Sequence, residues 1–229
     1  MKLGLYGVKK TYNGRIVLDV RELAFDNGKI YAVIGPNGSG KTTMLRVISG
    51  IDKFDSGKIL YDNTEAFPSD DVSYMPQKPY MFDVSVINNV LAGMGRKEAD
   101  VSEAEKALEF VSMSKFLRAR AVSLSGGEAQ RVALARTLVL GRSLVLLDEP
   151  ASSADISSAR LIENYIKHSS KENDSTVIFS THSPSQALRI ADELVFLWNG
   201  RVIEQGNVDT VLANPKTDEL KEFLMNWRI

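Results

Sequence analysis

Gly35-Pro36-Asn37-Gly38-Ser39-Gly40-Lys41-Thr42-Thr43 is the stretch on which the reading of this chain turns. It fits G-x-x-x-x-G-K-[ST], a phosphate-binding loop, and its flanks suit that pattern. Upstream, Lys29-Ile30-Tyr31-Ala32-Val33-Ile34 is apolar and partly β-branched after a turn at Asp26-Asn27-Gly28, which predicts a short buried strand. Downstream, Met44, Leu45, Val47 and Ile48 recur at helical spacing, and Gly50 supplies a stop. Glycines at 35, 38 and 40 let the backbone bring its N–H groups against phosphate oxygens. The helix start adds free donors and a partial positive charge aimed at the same anion. Lys41 offers a point charge for the β- and γ-phosphates, and the Thr42 hydroxyl is placed to ligate Mg²⁺. The expectation is a nucleoside triphosphate site.

Working outward, the 229 residues can bury a sizeable core. With 28 basic and 29 acidic side chains the net charge is −1, so nothing points to nucleic acid as a partner. The absence of cysteine excludes disulfides and thiolate metal sites. Lys9 and Lys10 interrupt any apolar core near the start, so no signal peptide is expected. No apolar run of about 18 residues predicts a membrane span. A role at a membrane would require docking onto another chain.

Taken in order, residues 2–8 read as a strand at the edge of the nucleotide domain, and Lys9-Lys10-Thr11-Tyr12-Asn13-Gly14 as a turn. Tyr12 is either a half-exposed turn aromatic or a platform for the adenine ring. Asp55-Ser56-Gly57 reads as a turn before strand Lys58-Ile59-Leu60-Tyr61, and Val72-Ser73-Tyr74-Met75 as a strand entering Pro76-Gln77-Lys78-Pro79. Gln77 is a solvated amide, or a contact for Mg²⁺ or the attacking water. Residues 85–120 read as a small helical insert: Val86, Ile87, Val90 and Leu91 at helical spacing, a polar loop at 95–98, then helices near 103–111 and 115–119. Ser123-Leu124-Ser125-Gly126-Gly127-Glu128 precedes an amphipathic helix, a second anion-binding geometry. Leu144-Val145-Leu146-Leu147-Asp148-Glu149 is an apolar strand ending in two carboxylates: Asp148 suits Mg²⁺, Glu149 a water. Thr176-Val177-Ile178-Phe179-Ser180 predicts another core strand with His182 just past its end, whereas His168 reads as surface. Asn199-Gly200 predicts a hairpin, and residues 217–226 a last helix.

In this order and spacing the motifs resemble the ATP-binding subunit of ABC transporters over nearly the whole chain. Tyr12 matches the A-loop, 35–43 the Walker A loop, Gln77 the Q-loop, and 124–128 the signature. Residues 144–149 match the Walker B strand, Asp155 the D-loop, and His182 the switch. Gln130-Arg131-Val132-Ala133-Leu134-Ala135-Arg136 after the signature makes the likeness specific. The resemblance implies an α/β P-loop NTPase of the ABC type: a RecA-like mixed sheet core, an antiparallel β subdomain and a small helical subdomain. All of this would form a single domain over 1–229, with the helical part at about 79–130.

The resemblance further implies ATP and Mg²⁺ as ligands and an ATP-dependent homodimer arranged head to tail. Each ATP would lie between one copy's Walker A loop, Gly35, Pro36, Asn37, Gly38, Ser39, Gly40, Lys41, Thr42 and Thr43, and the other copy's Ser125, Gly126, Gly127 and Glu128. Thr42, Gln77 and Asp148 would hold Mg²⁺. Lys41, Gln77, Glu149 and His182 would carry the chemistry, Glu149 by orienting or deprotonating water. Residues 77–82 would receive membrane-spanning subunits at the cytoplasmic face of the cell membrane. Pro76-Gln77-Lys78-Pro79-Tyr80-Met81-Phe82 resembles importer subunits, those for oxyanions such as tungstate among them. The alternative is a soluble scaffold ATPase of the iron–sulfur assembly type. Glu128 in place of the commoner glutamine, and alanines at 151 and 154, depart from the usual pattern, but no catalytic position is lost.

Overall fold

Ile30–Ile34, Leu144–Asp148 and Thr176–Thr181 are buried at every position. Unbroken burial is what a strand shows when both faces of its sheet are covered. In the computed structural model, which describes residues 1–94 and 100–227, these three are neighbours in one sheet. The strands in chain order are β1 (Leu3–Tyr12), β2 (Arg15–Phe25), β3 (Ile30–Ile34), β4 (Ser56–Tyr61), β5 (Val72–Met75), β6 (Leu144–Asp148), β7 (Thr176–Thr181), β8 (Glu193–Trp198) and β9 (Arg201–Asn207). The helices are α1 (Lys41–Ile48), α2 (Val86–Met94), α3 (Val101–Phe110), α4 (Gly126–Leu138), α5 (Ile156–Asn173), α6 (Pro184–Ile190), α7 (Val208–Ala213) and α8 (Asp218–Met225). The loop expected at 95–98 lies outside the described residues.

The larger sheet runs β5-β6-β7-β3-β8-β9, parallel from β5 to β8 with β9 antiparallel at its edge. Its two faces feed two cores by strict alternation. Ala32, Ile34, Leu147, Phe179 and Phe196 enter a core shared with the helices α2 to α8. Tyr31, Val33, Leu146, Ile178 and Val195 enter another, shared with α1 and the antiparallel sheet β2-β1-β4. Each Val, Leu, Ile or Phe side chain fully buried this way contributes about 1.5–3 kcal/mol. The result is a mixed sheet, an antiparallel sheet and a helical layer, the three parts that the resemblance implies.

Several local expectations change. β1 is the centre of the smaller sheet and not an edge of the nucleotide sheet. It continues through Lys9 to Tyr12, because Lys9, Lys10, Thr11 and Tyr12 each still pair with β2 although the charged lysines mask the pattern. The turn is only Asn13-Gly14, both with positive φ, as a two-residue hairpin requires. β4 starts at Ser56, inside the stretch expected to turn. Residues 115–119 do not form a helix; a single tight turn at Ser114–Phe116 gives way to a bridge between Ser85 and Arg120. The hairpin at Asn199-Gly200 and the helix Asp218–Met225 stand as expected.

Because β3, β5, β6 and β7 are parallel, their carboxyl ends share one edge of the sheet. The phosphate loop, Gln77, Glu149 and His182 each follow one of these ends. In open α/β sheets this edge is where ligands bind.

Candidate active site

The glycine-rich loop leaves β3 and enters α1 with almost no free space around its backbone. At Gly35 (φ 152°) a Cβ would come within 2.1 Å of the Leu197 carbonyl oxygen, and at Gly40 (φ 105°) within 2.7 Å of that of Val17. Only glycine fits both positions, so β2 and the β8–β9 hairpin clamp the loop; Gly200 N–H donates to the Ser39 carbonyl at 2.9 Å. The Lys41 ammonium donates to the carbonyls of Gly35 (2.8 Å) and Pro36 (3.1 Å), across the mouth of the loop. Burial pushes the Lys41 pKa down, against the opposing pull of the Glu149 and Asp148 carboxylates. Ser39 Oγ is buried and has no hydrogen-bond partner among the described residues. A tight cradle with an ammonium and an orphaned hydroxyl suits a polyphosphate.

Across the cleft, one serine organises two carboxylates. Ser180 Oγ donates to Asp148 Oδ1 at 2.5 Å and accepts the Glu149 N–H at 2.9 Å. That second bond secures Glu149 at φ 48°, a left-handed conformation a non-glycine residue adopts at a cost. The turn it produces aims the Glu149 carboxylate at His182, whose Nδ1 lies 2.8 Å from Oε2. Pro36, Asn37, Gln77, Glu149 and His182 line a common cleft of about 350 Å³. Gln77 and His182 are exposed in it, while Asp148 and Glu149 are buried. The arrangement places a proton acceptor and an imidazole opposite a phosphate cradle.

Tyr12 ends β1 half-exposed, and its hydroxyl donates to Asp52 Oδ2 at 2.5 Å. Asp52 also receives a two-pronged bond from Arg46 at 2.7 and 2.8 Å. Those bonds from Arg46, then that from Tyr12, hold the Asp52 carboxyl down to about 2. The Lys10 ammonium sits 4.9 Å from the Tyr12 ring centroid.

The second anion-binding turn does not reach this cleft within the chain. Ser125 and Gly126 are exposed, and Ser125 precedes α4. Glu128 accepts both the Ser125 N–H (2.8 Å) and its hydroxyl (2.6 Å). A link to the cleft runs through buried Gln130, which donates to Ser152 Oγ at 3.1 Å and accepts the Ser153 N–H at 3.1 Å. Asp155 caps α5 by accepting the Ser158 N–H at 2.7 Å.

Sequence reading missed Ser180, Gln130 and Trp227. Ser180 had a faint signal, a polar residue closing an apolar strand. His168 is exposed, as read, and its ring also stacks on Phe110 at 4.8 Å between ring centroids. Among the described residues no cluster of three or more His, Cys, Asp or Glu could hold a metal unaided. Mg²⁺ is satisfied by one or two carboxylates plus substrate phosphates, so the buried Asp148 carboxylate, near enough to act on the Lys41 charge, fits it.

Residues 18–152 match the family model described as ABC transporter. The tungstate uptake system ATP-binding protein TupC of Peptoclostridium acidaminophilum is 37% identical over 89% of this chain and 98% of that protein. The phosphate import ATP-binding protein PstB 2 of Natronomonas pharaonis is 34% identical over 97% of this chain and 86% of its own length. Among solved structures, a dimeric post-hydrolysis state of the ATP-binding cassette MJ0796 bound to ADP and Pi matches with TM-score 0.82 and 25% identity. That match spans 90% of this chain and 98% of the cassette.

Proposed function

The chain belongs to the ABC transporter family as an ATP-hydrolysing subunit, and from that premise we propose that it energises import of an oxyanion through separate membrane-spanning chains. The observation that carries the mechanism is the Glu149–His182 pair facing the phosphate loop across one cleft. The relatives named for tungstate uptake and phosphate import support the oxyanion class, and tungstate is the first candidate. They do not favour the iron–sulfur scaffold alternative.

In this reading the N–H groups of Gly38, Ser39 and Gly40 and the Lys41 ammonium hold the β- and γ-phosphates. Lys41 exchanges its bonds to the Gly35 and Pro36 carbonyls for phosphate oxygens. Thr42, Asp148 and Gln77 would hold Mg²⁺, which when bound neutralises charge between the β- and γ-phosphates. Glu149 takes the proton of the attacking water, a contribution of roughly 10²–10⁴ in rate. His182 Nδ1 faces Glu149, leaving Nε2 to the γ-phosphate. Tyr12 stacks on adenine, and a second copy contributes Ser125, Gly126, Gly127 and Glu128 in trans.

No described helix is long and apolar enough to cross a membrane, so the partner supplies the spanning segments. Exposed Tyr80 and Phe82, beside Gln77, offer it an aromatic landing at the cytoplasmic face. The test is purification of the chain from detergent-solubilised membranes, followed by reconstitution with the chains that accompany it. Recovery with membrane-spanning chains, and ATPase stimulation by tungstate in their presence, is expected. Recovery with soluble scaffold proteins alone would overturn the transporter reading.

A further inference from the structure

Trp227 stands in the cleft where neither phosphate binding nor proton transfer calls for an aromatic. It lies two residues beyond α8, with its ring centroid 5.5 Å from that of His182 and the two planes at 43°. It lines the same cleft as Pro36, Gln77 and Glu149. We propose that Trp227 is a positioning residue for ATP hydrolysis, fixing the His182 imidazole so that one nitrogen meets Glu149 and the other faces the γ-phosphate. This rests on the reading that Glu149 and His182 act on ATP in this cleft.

The imidazole needs such a restraint. The His182 side chain is 46% exposed, and its polar contact among the described residues is the bond from Nδ1 to Glu149. A ring held by one hydrogen bond can still pivot about it. A centroid distance of 5.5 Å with tilted planes lies within the range of attractive aromatic pairs, and contact with a broad indole removes that freedom.

Trp227 is itself firmly placed. The Glu204 carboxylate, buried in β9, accepts the N–H groups of Lys216 (3.1 Å) and Thr217 (2.6 Å), fixing the start of α8. Leu220 and Phe223 of α8 are buried, and Phe223 packs on Phe196 at 5.6 Å between centroids. Trp227 N–H donates to the Leu224 carbonyl at 2.9 Å. Phe196 belongs to β8, the strand beside β3, so the sheet that holds the phosphate loop also sets the indole. Because Leu220 and Phe223 make the anchor, loss of the Trp227 ring should leave α8 docked.

The test compares Trp227→Ala, Trp227→Phe and His182→Ala in the full chain by steady-state ATP hydrolysis and by binding of a fluorescent ATP analogue. Trp227→Ala should lower kcat about three- to tenfold with KM and analogue affinity nearly unchanged, the signature of misplacement and not of lost binding. Trp227→Phe should recover most of the rate. Trp198 is the other tryptophan, so a Trp198→Phe background isolates Trp227 emission. There, His182→Ala should shift the emission maximum or intensity, because it strips away the ring packed beside the indole and opens it to water. A wild-type kcat for Trp227→Ala, a Trp227→Phe rate no better than that of Trp227→Ala, or emission indifferent to His182→Ala would each overturn the proposal. If the chain alone hydrolyses too slowly to measure, the emission decides. Full hydrolysis by His182→Ala would instead remove the underlying reading of the site, and the proposal with it.

Discussion

His182 Nδ1 and Glu149 Oε2 lie 2.8 Å apart, so the imidazole and the carboxylate proposed to activate water share one hydrogen bond. Glu149→Gln keeps an oxygen for that bond while removing the group that draws a proton from water. ATP should still bind, and hydrolysis should fall by roughly 10²–10⁴. With ATP persisting, the variant should sediment as a dimer when ATP is present and as a monomer without it. Full hydrolysis by Glu149→Gln would remove Glu149 from the reaction.

Lys41 spans its own loop through the Gly35 and Pro36 carbonyls, and burial already disfavours its charge. A phosphate both pairs that charge and replaces those bonds. Lys41→Ala should therefore abolish tight ATP binding, which calorimetric titration will read directly. Unchanged affinity would sink the phosphate-loop assignment.

Tyr12 is tied to Asp52 by its hydroxyl, and its ring is the part available to a base. Tyr12→Ala should weaken ATP binding by ~1–3 kcal/mol, the worth of one base–aromatic stack. Tyr12→Phe should bind ATP nearly as well as wild type, since it keeps the ring. Equal losses in the two variants would transfer the role from the ring to the hydroxyl.

The same cluster predicts a pH dependence. Hydrogen bonds from Arg46, then Tyr12, lower the Asp52 carboxyl from 3.8 to about 2. A depressed acid stabilises the fold above its ordinary pKa and loses that contribution as pH falls through its folded one. Wild type should thus melt above Asp52→Asn near neutral pH, with the gap closing between about pH 4 and pH 2. A gap that persists unchanged across that window would show that Asp52 acts without its charge.

The site was legible where its chemistry is contiguous. Gly35 to Thr43 follows and Asp148-Glu149 closes an apolar strand that says where each sits, and Ser125-Gly126-Gly127 is recognisable as the turn opening α4. What stayed hidden depends on distance along the chain. Ser180 bonds Asp148 and the Glu149 amide from another strand, and Trp227 meets His182 only because α8 folds back over β8. The β1–β2 hairpin was obscured locally, since Lys9 and Lys10 disguise a strand whose Val8 partners Val20 in the core. Short helices such as α7, six residues long, offer too little periodicity to be read.

Glu128 turns a departure from the family's usual signature into a measurable effect. Its carboxylate takes both the N–H and the hydroxyl of Ser125, and those bonds, the hydroxyl's first, hold its pKa below the ordinary range. Near neutral pH it therefore carries a negative charge beside the hydroxyl that would serve a partner's γ-phosphate. Phosphate must compete with that carboxylate for the Ser125 hydroxyl and also bear its repulsion. Glu128→Gln keeps an acceptor for the N–H, since glutamine also completes a capping box, but holds the hydroxyl less strongly and adds no charge. In a Glu149→Gln background, the ATP-bound dimer should then tighten about tenfold, equivalent to about 1.4 kcal/mol. Sedimentation over a dilution series with ATP measures this, with Glu149→Gln alone as reference. The gain should shrink at high salt, because screening weakens the repulsion that the substitution removes. A weaker dimer would mean instead that the carboxylate's main effect is to order the start of α4, so that loosening the signature costs more than freeing Ser125 gains.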